Sequence, residues 1–179
     1  MTREKIQENA LEIALNNKRC GLGISMGVGK TRIGIQHLMK NYNPFIKALV
    51  VVPKLSVKSA WEKELVKMNL FMQLDEYITY TTYLSINKHN PNDYDIVYLD
   101  ECHSLLETHE TFLSEFKGRI LGLTGTPPKT GEKLKMVNKY CPVKYTFSVD
   151  DAADNDILND YQIIVHELEL SQVKNVKKS

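Results

Sequence analysis

The segment CGLGISMGVGKTRIGIQHLMK (residues 20–40) carries the strongest structural signal in the chain. Its short apolar run at residues 20–24 predicts a buried strand, and a helix is predicted over residues 31–40. The turn between them is rich in glycine, which permits backbone amides to converge on a phosphate. The N-terminus of the following helix adds partial positive charge. This strand–loop–helix order predicts a phosphate-binding loop.

The predicted loop residues have distinct chemical roles. Lys30 would reach the β- and γ-phosphates, and the hydroxyl of Thr31 would bind Mg²⁺. The sequence departs from the GxxxxGKT pattern at its first glycine, where Ile24 stands. A glycine-rich turn with an incidental Lys-Thr pair is therefore the alternative interpretation. The candidate nucleotide-binding residues of the loop are Met26, Gly27, Val28, Gly29, Lys30 and Thr31.

A second signal is the sequence Asp100-Glu101-Cys102-His103, which follows the apolar strand IVYL. In open α/β sheets, ligands bind beyond the carboxyl ends of the strands, which is where these acids lie. Asp100 would hold Mg²⁺, and Glu101 would orient and deprotonate the attacking water. A solvated loop is the alternative. Cys102 and His103 do not indicate zinc, because the sequence offers no second pair of ligands at zinc spacing.

A third signal, LTGTP (residues 123–127), also follows a strand. Its hydroxyls, on Thr124 and Thr126, could bond to the carboxylates at the end of the neighbouring strand. The loop would then respond to the presence of the γ-phosphate. Taken by itself this segment is only a threonine-rich turn, but a lysine loop, an acid pair and a hydroxyl loop together indicate a nucleoside-triphosphate motor.

Composition limits the alternatives. The chain has 179 residues, 42% of them hydrophobic, which suits one domain with a substantial core. A net charge of +1 excludes a globally basic coat for nucleic acid. Three distant cysteines make neither a disulfide framework nor a CxxC knuckle. The charged N-terminus does not resemble a signal peptide, and no apolar run approaches the roughly 18 residues that span a bilayer.

The rest of the chain alternates strands and helices, which predicts an α/β fold with helices on both faces of a mainly parallel sheet. Ser56 is expected to cap the helix that carries Trp61. Further strands are predicted at residues 48–52, 77–80, 95–100, 119–125 and 161–170. Further helices are predicted at the N-terminus, over residues 83–88 and near residues 112–116.

With these motifs in place, the sequence resembles the first RecA-like domain of superfamily 2 helicases and translocases. MGVGKT is similar to motif I of Swi/Snf-type translocases and phage helicases, DECH to motif II and LTGTP to motif III. The segment VVVPKLSVKSAWEKEL resembles motif Ia, and TYTTY (residues 79–83) resembles motif Ib. The resemblance implies a three-layer αβα RecA-like P-loop NTPase domain of the DExH type.

The resemblance also implies roles for individual residues. Gln7, 23 residues before Lys30, would select adenine, so that ATP and Mg²⁺ are the expected cofactors. His103, Thr124 and Thr126 would couple hydrolysis to movement. DNA is the expected partner, bound through sequence-independent contacts to its backbone. The candidate contacts, from motifs Ia and Ib, are Pro53, Lys54, Thr81 and Thr82.

Members of that family also need a second RecA-like domain, which supplies arginine fingers. We expect residues 1–170 to form the ATP-binding domain and residues 171–179 a polar tail or the start of a linker. The chain would then be an excised or truncated half-motor, cytoplasmic, nucleoid-associated or in a phage-infected cell. Two other functions stay open: a small P-loop phosphotransferase, and a non-catalytic module that binds nucleic acid or protein.

Overall fold

A computed structural model describes residues 2–148 of the chain. Its middle layer is a six-stranded sheet. The strands are β1 Arg19–Ile24, β2 Ala48–Val52, β3 Ile78–Thr82, β4 Ile96–Asp100, β5 Arg119–Thr124 and β6 Val143–Phe147. The helices are α1 Arg3–Leu15, α2 Lys30–Lys40, α3 Lys58–Lys67, α4 Phe71–Leu74, α5 Glu110–Leu113 and α6 Gly131–Tyr140. Short 3-10 turns lie at Leu55–Val57, Asp75–Tyr77, Ile86–Lys88, Pro91–Asp93, Cys102–Ser104 and Glu107–His109.

The strand order in the sheet is β3-β2-β4-β5-β1-β6, and every neighbouring pair is parallel. All six carboxyl ends therefore reach the same edge of the sheet. This is the edge at which open parallel sheets bind their ligands. The loops after β1, β4 and β5 carry the glycine turn, the acid pair and the hydroxyl loop. The predicted parallel sheet is thus confirmed.

Helices cover both faces of the sheet. Residues of β2 alternate between two cores, with Val50 in one and Val51 in the other. Helices α1, α2 and α3 pack on the first core, and α5 and α6 on the second. This burial on both sides explains why β2 is a continuous apolar run rather than an alternating one. The predicted three-layer αβα architecture is confirmed.

Several local predictions need correction. Strand β1 begins one residue earlier than predicted, β4 begins one residue later and β5 ends one residue earlier. Ser56 does not cap α3, because a 3-10 turn precedes the helix and Val57 stands at its N-cap position. The helix expected over residues 83–88 is only the single turn Ile86–Lys88, preceded by the buried side chain of Tyr83. Strand β3 starts one residue later than expected and runs on to Thr82, because the added threonines pair with the end of β2. The helix expected near residues 112–116 is Glu110–Leu113.

Three elements lacked a prediction, α4, α6 and β6. Helix α6 and strand β6 follow the hydroxyl loop, and β6 pairs with β1 at the sheet edge. The strand expected at residues 161–170, the domain boundary at residue 170 and the polar tail lie outside the described residues. Within residues 2–148 no helix is long and apolar enough to cross a membrane.

Candidate nucleotide and nucleic-acid site

The glycine turn between β1 and α2 has the backbone that its sequence requires. Gly27 and Gly29 adopt φ of 93° and 98°, in the left-handed region that side chains disfavour. Gly29 is the N-cap of α2 and offers no side chain to the first-turn amides of that helix. The hydroxyl of Ser25 is buried without a hydrogen-bond partner among the described residues. An uncapped helix start and a buried hydroxyl lacking a partner suit an anionic ligand.

Gln7 of α1 packs on this turn. Its Nε2 donates a hydrogen bond to the backbone oxygen of Val28 at 2.7 Å, and the side chain is buried. Val28 is also buried, and its N–H bonds within the turn to the oxygen of Ser25. Beside Gln7 lies a depression of about 480 Å³. It is lined also by Leu11 and by polar residues of α1 and α2, among them Arg32. The turn therefore lies beside a concave surface large enough for a heterocyclic base.

The acid pair faces the lysine of the loop. Lys30 Nζ lies 3.4 Å from Asp100 Oδ1 and 3.1 Å from Glu101 Oε2. Burial lowers the pKa of the Lys30 ammonium, but the two carboxylates together raise it by more. The pKa of Lys30 therefore lies above its ordinary value. Glu101 has a left-handed backbone, with φ of 56°, which turns the chain directly after β4. The sheet thus brings Lys30 into contact with Asp100 and Glu101, which lie 70 and 71 residues further along the chain, and β5 lies between the two strands that carry them.

Two aromatic side chains hold Asp100, which is only 2% exposed. Trp61 Nε1 on α3 donates to Asp100 Oδ2 at 2.9 Å. Tyr83, just beyond β3, donates its hydroxyl to the backbone oxygen of Asp100 at 2.7 Å. Neither contact was predicted from the sequence. A single tryptophan in an amphipathic helix is the only sequence signal, because a buried indole N–H requires an acceptor.

The hydroxyl loop reaches the acid pair through His103. Its Nδ1 lies 2.7 Å from Thr124 Oγ1, 3.3 Å from Thr126 Oγ1 and 3.6 Å from Glu101 Oε1. The N–H of Thr126 donates to Thr124 Oγ1 at 3.0 Å, which closes the loop on itself. Glu101, His103, Thr124 and Thr126 thus lie together, as expected. The two hydroxyls, however, contact His103, which lies between them and Glu101, and not the carboxylates as predicted.

The segments after β2 and β3 lie at the same edge but farther along it. Pro53 and Lys54 are exposed and Thr82 is half-buried. Thr81, however, is only 4% exposed, although β3 is an edge strand of the sheet. The expectation that Thr81 contacts a nucleic-acid phosphate is therefore not supported by its placement. Of the predicted nucleotide-binding residues, Met26 has an exposed side chain and Thr31 a half-buried one.

The fold, the order of its loops and their contacts define an N-terminal RecA-like domain of the superfamily 2 helicase type. Residues 1–129 match the family described as "Type III restriction enzyme, res subunit". The chain belongs to this family. Comparison with curated protein sequences finds no match.

Solved structures share the fold at low sequence identity. The UvsW helicase of bacteriophage T4 has a TM-score of 0.67 and 17% identity over 78% of this chain and 58% of its own. The SWI2/SNF2 ATPase core of Sulfolobus solfataricus, solved in complex with dsDNA, has a TM-score of 0.59 and 21% identity, with 78% and 35% covered. The Hef helicase domain of Pyrococcus furiosus has a TM-score of 0.62 and 14% identity, with 83% and 39% covered. The chain thus spans well under two thirds of each relative.

Proposed function

We propose that this chain is the ATP-binding half of a DNA-dependent ATPase, a helicase or a double-strand DNA translocase. The observation that carries the proposal is the contact of Lys30 with both Asp100 and Glu101 at the carboxyl edge of the sheet. A lysine after a glycine turn and two acids at the end of β4, two strands away in the sheet, are the groups that phosphoryl transfer requires. The shared family supports the class of activity.

The residues of the turn fit a magnesium–nucleotide complex. Gly27 and Gly29 leave room for phosphate oxygens, and the ammonium of Lys30 supplies positive charge. Thr31 and Asp100 would hold Mg²⁺, because hydroxyl and carboxylate oxygens are its preferred ligands. When bound, Mg²⁺ neutralises charge on the β- and γ-phosphates. Gln7 would bind adenine at the depression beside the turn, which accounts for its place on α1.

The remaining polar residues would complete hydrolysis and its coupling. Glu101 is half-buried beside Lys30 and would accept a proton from the attacking water. His103 lies between Glu101 and the hydroxyls of Thr124 and Thr126. A change at the γ-phosphate position would therefore be transmitted through His103 to the loop after β5.

DNA would bind along the segments after β2 and β3. Pro53, Lys54 and Thr82 are the candidates, and their contacts would go to phosphates rather than bases. The S. solfataricus relative was solved with dsDNA, which favours a duplex as the partner. With a net charge of +1, we expect binding to be weak and sensitive to salt.

A second RecA-like domain would complete the motor. The chain spans 58% of UvsW and smaller shares of the other two relatives, which suits a single domain of a larger machine. An arginine finger from such a domain is worth about 10³ to 10⁵ in turnover in related phosphoryl-transfer enzymes. Without it, we expect this chain to bind ATP and to hydrolyse it slowly.

The test combines nucleotide binding with steady-state ATPase turnover, each measured with and without double-stranded DNA. Lys30→Ala should lower the affinity for Mg-ATP, whereas Lys40→Ala, at the exposed end of the same helix, should not. Slow turnover with Lys30-dependent binding is the expected result. Binding that is unchanged in Lys30→Ala would refute the phosphate role and favour a non-catalytic module. Phosphate transfer to nucleosides or nucleotides would favour a phosphotransferase instead.

A further inference from the structure

Asp100 is held from two directions by aromatic hydrogen-bond donors. The indole of Trp61 binds its Oδ2, and the phenol of Tyr83 binds its backbone oxygen. Both aromatic side chains are buried, at 1% and 7% exposure. The other carboxylate oxygen, Oδ1, faces Lys30. The two donors therefore fix both the side chain and the backbone of the residue proposed to hold Mg²⁺.

Each donor belongs to a segment that leads to the proposed DNA surface. Trp61 lies on α3, which follows the exposed residues Pro53 and Lys54 after one short turn. Tyr83 comes directly after Thr82, and the next residue, Leu84, is 95% exposed. Each DNA-facing segment therefore has one buried hydrogen bond to the same aspartate.

Trp61 is closely packed against α2 and β4. A Cβ added to Gly34 of α2 would lie 2.8 Å from the Trp61 ring, so α2 and α3 are in close contact at this point. The ring also lies 5.9 Å from that of Tyr98 on β4. Closely packed interiors deform little, so a displacement of α3 would move the indole with it. Helix α2 begins at Lys30, so the same ring contacts the helix of the phosphate loop.

We propose that Trp61 and Tyr83 are positioning residues that couple DNA binding at the segments after β2 and β3 to the orientation of Asp100 toward Mg²⁺ and nucleotide. This inference rests on the proposed function. Reciprocity follows from thermodynamic linkage: if DNA changes the affinity for nucleotide, nucleotide changes the affinity for DNA by the same factor.

The test measures the dissociation constant of a fluorescent ADP analogue for the full chain in Mg²⁺, with and without a short DNA duplex at low salt. In the wild type the duplex should change this constant about five-fold or more, the lower end of ordinary coupling. In Trp61→Phe and Tyr83→Phe this change should be lost. Without Mg²⁺, in EDTA, the wild type and Trp61→Phe should bind the analogue equally, which a merely structural defect would not produce.

Tyr98→Phe is the matched control. It also removes a buried phenol, one that bonds to His37 and not to Asp100, and it should retain the response to the duplex. A wild-type response in either aromatic variant would overturn the role of that residue. If nucleotide binding depends on Lys30 but the duplex does not change it in the wild type, the coupling is overturned and the proposed function is not. If the wild type binds nucleotide no better than Lys30→Ala, the proposed function and this inference are both overturned.

A second measurement needs no substitution. Trp61 is the single tryptophan of the chain, so its emission reports on the Asp100 contact. Addition of the duplex to the Mg-nucleotide complex of the wild type should change this emission. Unchanged emission, with DNA binding verified by anisotropy of a labelled duplex, would overturn the proposal even if the phenylalanine variants do not fold.

Discussion

Gln7 Nε2 is hydrogen-bonded at 2.7 Å to the backbone oxygen of Val28, 21 residues further along the chain. This bond fastens α1 to the glycine turn. The same nitrogen would be 2.6 Å from a Cβ added to Gly29, so the carboxamide occupies the space that a larger residue would need. The turn thus owes its shape to a helix as well as to its own glycines.

Gly29→Ala should therefore weaken nucleotide binding. Alanine would be strained at φ of 98° and would also push Gln7 away from Val28. We expect the affinity for Mg-ATP to fall about ten-fold, equivalent to about 1.4 kcal/mol. Gly131→Ala is the control, because Gly131 also has a positive φ but has nothing within 4 Å of an added Cβ. Both variants should lose about 1–2 kcal/mol of stability from backbone strain, but only the first should bind nucleotide poorly.

Glu101→Gln should separate nucleotide binding from hydrolysis. Glutamine keeps the shape of the side chain but cannot accept the proton of an attacking water. We expect turnover to fall about 10² to 10⁴-fold while Mg-ATP stays bound. The measurement is single-turnover hydrolysis alongside binding of a fluorescent nucleotide. Glu107→Gln, an exposed acid on the next turn, should behave as the wild type, and equal turnover in Glu101→Gln would remove Glu101 from the mechanism.

Lys54→Ala should weaken DNA binding uniformly across sequences. If Lys54 neutralises one phosphate, the slope of log K against log salt should become less steep by about 0.9 for a duplex. The measurement is a salt titration of binding to a labelled duplex. Lys117→Ala is the control, because Lys117 is exposed before β5, at the opposite edge of the sheet. An identical slope in Lys54→Ala and the wild type would exclude a contact of Lys54 with a phosphate.

His37 should make the stability of the domain depend on pH. Burial lowers the pKa of this imidazole from 6.5 to about 4, and its Nδ1 pairs with the hydroxyl of Tyr98 at 2.8 Å. The unfolded chain binds the proton more tightly, so stability is present above pH 6.5 and is lost as the pH falls toward 4. At about pH 4.5 the loss should be about 2 to 3 kcal/mol relative to neutral pH.

Urea unfolding at the two pH values checks this prediction. His37→Gln should reduce the difference between them, whereas His89→Gln should not. His89 is a suitable control because it pairs with Tyr94 in the same way but is half-exposed. A full pH difference in His37→Gln would assign the effect to other groups.

The strands that are buried on both faces could be predicted from the sequence. Strand β2 was predicted at its observed bounds because both of its faces are buried, so every residue is apolar. Strand β6 was missed because its residues Val143, Lys144, Tyr145 and Thr146 remain partly exposed at the sheet edge, where burial imposes no strong pattern. Helix α6 was missed although Thr130 stands at its N-cap position, where its side chain makes no cap hydrogen bond.

In the candidate site, too, some contacts could be predicted from the sequence and others could not. The contact of Lys30 with the acid pair follows from motif order, because parallel strands bring their carboxyl ends to one edge. The bonds of Trp61 and Tyr83 to Asp100 do not follow from it, since they depend on how α3 packs and how β3 ends. The burial of Thr81 does not follow from motif order either, since β3 extends two residues beyond its predicted end and includes this threonine.

The strand order has a consequence for how such a domain can diversify. The proposed phosphate-binding loop follows β1, which lies two strand spacings from the acids on β4 and four from the end of β3, about 10 Å and 19 Å. The proposed nucleotide site and the proposed DNA surface therefore lie at separate positions along the carboxyl edge of the sheet, linked through the buried side chains of Trp61 and Tyr83. Under this proposal, loops at the β2–β3 end could vary to bind a different nucleic acid, provided that the hydrogen bonds of Trp61 and Tyr83 to Asp100 are kept.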